Sequence, residues 1–127
     1  LGMFVRASAN TGQKEIFAFT EITRSLVLGL SQNGTDWGRA QDTLGLAVVR
    51  NHLSQSARQY FGAGGLGLLI GEGYMPYAAE GIVETYYQWQ INKSLAVAIN
   101  LQRVSNPGYN IERGPVHIGG LRVHAEF

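Results

Sequence analysis

The end of the chain constrains the fold more than any other stretch. From Val116 to Phe127 the residues separate by parity, with Leu121, Val123, Ala125 and Phe127 in one set and Arg122, His124 and Glu126 between them in the other. Successive side chains of a β-strand point to opposite faces, so this segment presents an apolar stripe on one side and ionisable groups on the other; wound as a helix, it would mix the two sets. The same period of two runs through Leu95 to Val104, where Leu95, Val97, Ile99 and Leu101 alternate with Ala96, Ala98, Asn100 and Gln102. Upstream, Val83, Thr85, Tyr87, Trp89 and Ile91 alternate with Glu84, Tyr86, Gln88 and Gln90. The intervening Asn92-Lys93-Ser94 is turn chemistry, and the two runs predict a tight hairpin.

Three further alternations precede these. Thr43 to Asn51 sets Leu44, Leu46 and Val48 against Gly45, Ala47 and Val49. Ile16 to Leu30 places Ile22, Leu26, Leu28 and Leu30 on one parity, interrupted by Arg24, with Phe17 and Phe19 on the other. Gly2 to Ala9 sets Met3, Val5 and Ala7 against Phe4, Arg6 and Ser8. The chain thus predicts six strands, with short links near 31–42 and 92–94 and a long one near 54–80. In the long link, Ser54 is placed to cap a short helix through Phe61 that ends at Gly62.

Several chemistries find no support. Ten Lys and Arg against nine Asp and Glu give a net charge of +1, without the basic footprint of a nucleic-acid binder. The chain has no cysteine, which removes disulfides, thiolate metal sites and cysteine nucleophiles. His117 and His124 fall on opposite parities, so they do not converge with His52 on a metal. Gly62-Ala63-Gly64-Gly65-Leu66-Gly67 has the spacing of a dinucleotide-binding turn, but it lacks the preceding strand and following helix that such a turn needs. Glu84 and Glu126 approach each other only in a curled sheet, and no nucleophile elbow is present. The expectation is a protein without catalytic residues, cofactor or metal.

What remains is a sheet with two contrasting faces. One carries Arg6, Arg50, Glu84, Tyr86, Gln88, Gln90, Asn100, Gln102, Arg122, His124 and Glu126; the other is apolar and must meet either a second layer or lipid. No stretch reaches the roughly 20 apolar residues of a spanning helix, and mean hydropathy is −0.05. Membrane β-barrels average near neutral in the same way, because lipid-facing and lumen-facing residues alternate. A single-sheet pattern offers no second layer, which favours lipid. Tyr87 and Trp89, on the apolar parity beside the turn, fit an interfacial aromatic girdle, and Phe127 closes the last alternating strand. The competing readings are a sandwich core and a small soluble β-barrel that holds an apolar ligand inside. The start, Leu1-Gly2-Met3, carries neither initiator methionine nor signal-peptide regions, as expected of a chain freed of a leader or of part of a longer one.

Residues from about Asp36 to Phe127 resemble the C-terminal part of the OprB-type carbohydrate-selective porins of bacterial outer membranes. The resemblance is carried by Asp42-Thr43-Leu44-Gly45-Leu46-Ala47, Glu84-Thr85-Tyr86-Tyr87-Gln88-Trp89-Gln90, Leu101-Gln102-Arg103-Val104-Ser105-Asn106-Pro107-Gly108 and Gly120-Leu121-Arg122-Val123-His124-Ala125-Glu126-Phe127. It implies an all-β, antiparallel transmembrane barrel of about sixteen strands, of which residues 1–127 supply about six as the C-terminal part of one barrel domain. It also implies passive diffusion of glucose-like sugars across the outer membrane. Partners would be the sugar, outer-membrane lipid, the barrel-assembly machinery acting through the last strand, and further copies in a homo-oligomer. On this reading Arg6, Arg50, Glu84, Tyr86, Gln88, Arg122, His124 and Glu126 line the pore, and Tyr87, Trp89 and Phe127 lie at the membrane interface. Phe127 at the periplasmic end makes the turn at 92–94 periplasmic and the connections at 54–80 and 105–115 extracellular.

Overall fold

Each alternating segment pairs with its neighbours in sequence. The computed structural model describes residues 1–11, 21–67, 70–71 and 73–126. Among these, β1 (Gly2–Ala9), β2 (Arg24–Gly34), β3 (Arg39–His52), β4 (Glu80–Asn92), β5 (Leu95–Ser105) and β6 (Val116–Ala125) form one sheet in chain order. Every pairing is antiparallel. Among the described residues β1 pairs only with β2 and β6 only with β5, so the sheet they form is open at both edges.

The link expected at 31–42 contracts, because Ser31, Gln32 and Asn33 continue the ladder opposite Gly45, Leu44 and Thr43. The turn that remains is a single 3-10 turn, Thr35–Trp37, closed by Gly38 at φ 76°. A left-handed residue there suits glycine, which has no Cβ to clash. Phe17 and Phe19 lie outside the described residues.

Register fixes the faces. Phe4, Gly29, Ala47, Glu84, Gln102 and Ile118 form one cross-sheet row. Val5, Leu28, Val48, Val83, Arg103 and His117 form the next, on the opposite face. The apolar face has no covering layer among the described residues: Leu121 is 71% exposed, Val123 63% and Leu101 58%. A sandwich core would bury these side chains, so that reading fails. Nor do the described residues form a closed soluble barrel around an apolar ligand, because among them the sheet is open and its apolar face is uncovered.

The compact core lies beyond one end of the sheet, where Leu53, Phe61, Met75 and Tyr109 pack together. Helix α1 (Gln55–Gly62) contributes Phe61 and starts as expected, with Ser54 Oγ accepting from the Ala57 N–H at 3.2 Å. Its end differs. Gly62 is the last helical residue, Ala63 N–H still bonds to Gln59 O, and the left-handed residue is Gly64 at φ 93°. The glycine-rich motif therefore follows a helix instead of opening one, the reverse of a dinucleotide turn. The connection between β5 and β6 joins this cluster through Ala78 N–H to Tyr109 O and Ile111 N–H to Pro76 O, and the Tyr77 and Tyr109 rings stack at 6.3 Å. Tyr109 holds φ 63°, a strained value for a bulky residue, and its hydroxyl is buried without a partner among the described residues. Burial, reinforced by the Glu80 carboxylate, holds its pKa well above that of an ordinary phenol, so it stays protonated.

Candidate pore-lining face

The face shared by Glu84 and Arg122 has three zones. Mid-sheet, Glu84 accepts from Asn100 Nδ2 at 2.7 Å and from Gln102 Nε2 at 3.2 Å. Beside it two aromatic rings lie flat over glycines of the neighbouring strands. A Cβ on Gly29 would stand 1.9 Å from Phe4 Cε1, and one on Gly45 would stand 2.0 Å from Tyr86 Cε1. At the turn end, Gln88, Gln90, Lys93, Arg122, His124 and Glu126 surround a cavity of ≈ 380 Å³, and His124 Nε2 lies 3.0 Å from Glu126 Oε1. At the loop end, Ser25 Oγ donates to Asn51 Oδ1, Asn51 Nδ2 donates to Glu80 Oε1, and Glu80 Oε2 accepts the Gly108 N–H. This last chain ties the loop cluster to the polar face.

Because the Tyr86 ring occupies the space a Cβ would need, Gly45→Val is expected to lift the ring off the sheet. Overpacking of this kind costs about 2 kcal/mol. If this face lines a lumen, the lifted ring narrows it, and sugar influx into liposomes carrying the full-length protein falls several-fold; wild-type influx would show that the ring stands clear of the path.

Seven of the eight residues expected to line a pore share this face or its end. Arg6, Glu84, Tyr86, Gln88, Arg122 and His124 lie on the strands, and Glu126 follows β6, held by its N–H to Ser94 O at 2.9 Å. Gln88, Arg122, His124 and Glu126 meet in one cavity, whereas Arg6 stands across the sheet on the edge strand β1. Arg50 must be corrected. It pairs with Leu26 and Gly81 on the parity of Leu46 and Val48, so it belongs to the apolar face. Asn100 and Gln102, the hydrogen-bond partners of Glu84, and Phe4 join the polar constellation instead. Phe127 lies outside the described residues.

A family model for carbohydrate-selective porins of the OprB family matches residues 1–127, the whole chain. The chain belongs to the OprB family of carbohydrate-selective porins. No curated protein and no solved structure gives a match. OprB-family porins are transport channels and not enzymes, with a sugar as substrate and the outer membrane as their setting.

Membership gives meaning to the opposite face of this porin. At the turn end, Trp37 Nε1 donates to Tyr87 Oη at 3.2 Å, and the Tyr87 hydroxyl donates to Asp42. Asp42 is 1% exposed and also accepts from the Gln90 N–H at 3.0 Å and from Arg39. The Arg39 guanidinium lies 5.4 Å from the centre of the Trp89 ring. Tyr87 and Trp89 thus sit among polar partners at the end of an apolar band, as side chains at a membrane interface do. In the sequence Asp42 has no assigned role: it opens one of the blocks that carry the resemblance, but it lies with Asp36 inside what reads as a link.

The other end of the band is marked by basic residues, and their boundary is oblique. Arg24 pairs with His52, while His117 pairs with Arg103 in the row of Val48, four residues away along β3. From β2 to β6 the boundary thus shifts by about 14 Å, taking about 3.4 Å per residue, over about 19 Å of sheet, taking about 4.8 Å per strand. A boundary parallel to a membrane then requires strands inclined by about 36°, within the range of outer-membrane barrels.

Proposed function

We propose that these strands form part of the wall of a closed barrel of about sixteen strands, with the face of Glu84 and Arg122 inward, through which glucose-like monosaccharides diffuse down their gradient. The supporting observation is the contrast between the faces: one is a broad, uncovered apolar surface bounded by aromatic residues, the other a field of hydrogen-bonding groups. A sugar entering a narrow channel loses water from many hydroxyls, and donors and acceptors that replace that water lower the barrier. Glu84, Gln88, Asn100, Gln102, Arg122 and His124 offer both kinds of group. The exposed ring of Phe4 and the half-buried ring of Tyr86 offer apolar faces for the C–H side of a pyranose.

The turns at 35–38 and 92–94 face the periplasm, and the connections at 53–79 and 105–115 face outside, as the longer loops of such barrels do. The tie from Glu80 to Gly108 favours loops leaning over the lumen. The open edge of β6, with its unpaired backbone groups, is a surface on which the barrel-assembly machinery can act.

The test is Arg122→Ala in the full-length porin, read by sugar influx and by the reversal potential across a planar bilayer under a salt gradient. Loss of an inward cation is expected to shift selectivity toward cations and change sugar influx; if both stay at wild-type values, Arg122 does not line the path.

A further inference from the structure

The loop-end half of the apolar face carries Arg24, Arg50, His52, Arg103 and His117, all exposed, with no Asp or Glu among the described residues on that half. None of the arginines, nor His117, has an ion-pair partner among the described residues. At the turn end of the same face, the cation Arg39 is matched by the buried carboxylate of Asp42. The excess charge is therefore confined to one side of the band. A symmetrical snorkelling surface would carry cations at both ends, so the asymmetry calls for an anion supplied by one leaflet.

Local packing supports this. Gly81 lets the Arg50 side chain fold across β4, since a Cβ there would stand 3.2 Å from Nη1. Directly membrane-ward of Arg103 and His117 runs an apolar groove of ≈ 360 Å³, walled by Leu46, Val83, Thr85 and Leu101 and opened by Gly119. A guanidinium and an imidazole, both hydrogen-bond donors, above an apolar channel match a phosphate above an acyl chain, and guanidinium forks suit phosphate oxygens.

We propose that this part of the face binds a phosphorylated lipid of the outer leaflet, with the phosphate held by Arg50, Arg103 and His117 and an acyl chain laid along the groove. The inference rests on the reading above that this face meets lipid and that the loops face outside.

The test uses the full-length porin in uncharged detergent, with phosphatidic acid and phosphatidylcholine as probes and native mass spectrometry as the readout. Phosphatidic acid is expected to stay bound where phosphatidylcholine does not. The double variant Arg103→Gln, His117→Gln should weaken its retention by roughly tenfold. Gly119→Leu, which keeps both basic groups and whose Cβ meets Leu101 only at ordinary contact distance, should extend into the groove and weaken it too. Sugar influx should stay at the wild-type level in both variants, because these residues face away from the lumen. Equal retention of the two lipids, undiminished retention in both variants, or displacement by inorganic phosphate at matched concentration would overturn the proposal. A protein that retains phosphatidic acid selectively but passes no sugar would leave this site standing and refute the transport reading instead.

Discussion

Asp42→Ala is expected to lower the heat resistance of the folded porin more than truncation of any other side chain at the turn end. The carboxylate is almost wholly enclosed and accepts from three groups: the Tyr87 hydroxyl, the Gln90 N–H and Arg39. Its loss strands a backbone donor of β4 and removes the anchor of the phenol, which in turn accepts from Trp37. Buried donors left without acceptors are costly, more so than the bond itself is stabilising. Asp42→Asn keeps an oxygen for the Gln90 N–H but gives up the charge that draws Arg39, so it should fall between wild type and alanine. The midpoint of the heat-induced mobility shift on gels, or of loss of β circular dichroism, reads the effect. A drop of several degrees is expected for alanine, and an unchanged midpoint would mean the network contributes nothing.

Glu84→Gln is expected to move the ion selectivity of the pore toward anions while leaving the sheet almost as stable, within about 1 kcal/mol, as the hydrogen bonds to Asn100 and Gln102 are reshuffled. The face proposed to look inward carries Arg6, Arg122 and His124 in its strands, and Glu84 is the carboxylate nearest its middle. Neutralising it removes the mid-sheet negative charge and leaves Glu80 and Glu126 only at the two ends, so the reversal potential under a potassium chloride gradient should shift in the direction opposite to that of Arg122→Ala. Sugar influx should fall as well, because a carboxylate accepts from sugar hydroxyls more strongly than an amide oxygen does. A reversal potential identical to wild type would place Glu84 outside the conducting path and undo the inward assignment of its whole row.

The faces of the sheet were legible because a period of two needs no tertiary information. Leu121 and Arg122 are separated onto opposite sides by backbone geometry alone. The start of β3 was not, since Arg39 to Asp42 shows no apolar alternation; those residues are held in the ladder by bonds to Tyr87 and Gln90, about 50 positions downstream. Arg50 was misplaced for a different reason. Its charge suggests a polar face, but its parity is that of Val48; on the proposed reading, the lipid side of a strand passes into headgroups at its end. Chemistry suggested the lumen there, and register overrode it. The glycines under Phe4 and Tyr86 were visible in the sequence, but which ring lies over which glycine depends on cross-strand pairing that only the structure supplies.

Among the described residues, each strand pairs only with its immediate neighbours in the chain. A wall woven this way can gain or lose a hairpin by exchanging one pairing, leaving every other ladder in place. The circumference of such a channel and the side chains that face its passage are then separable traits: descendants can widen or narrow the bore two strands at a time while inheriting the Glu84 and Arg122 rows intact.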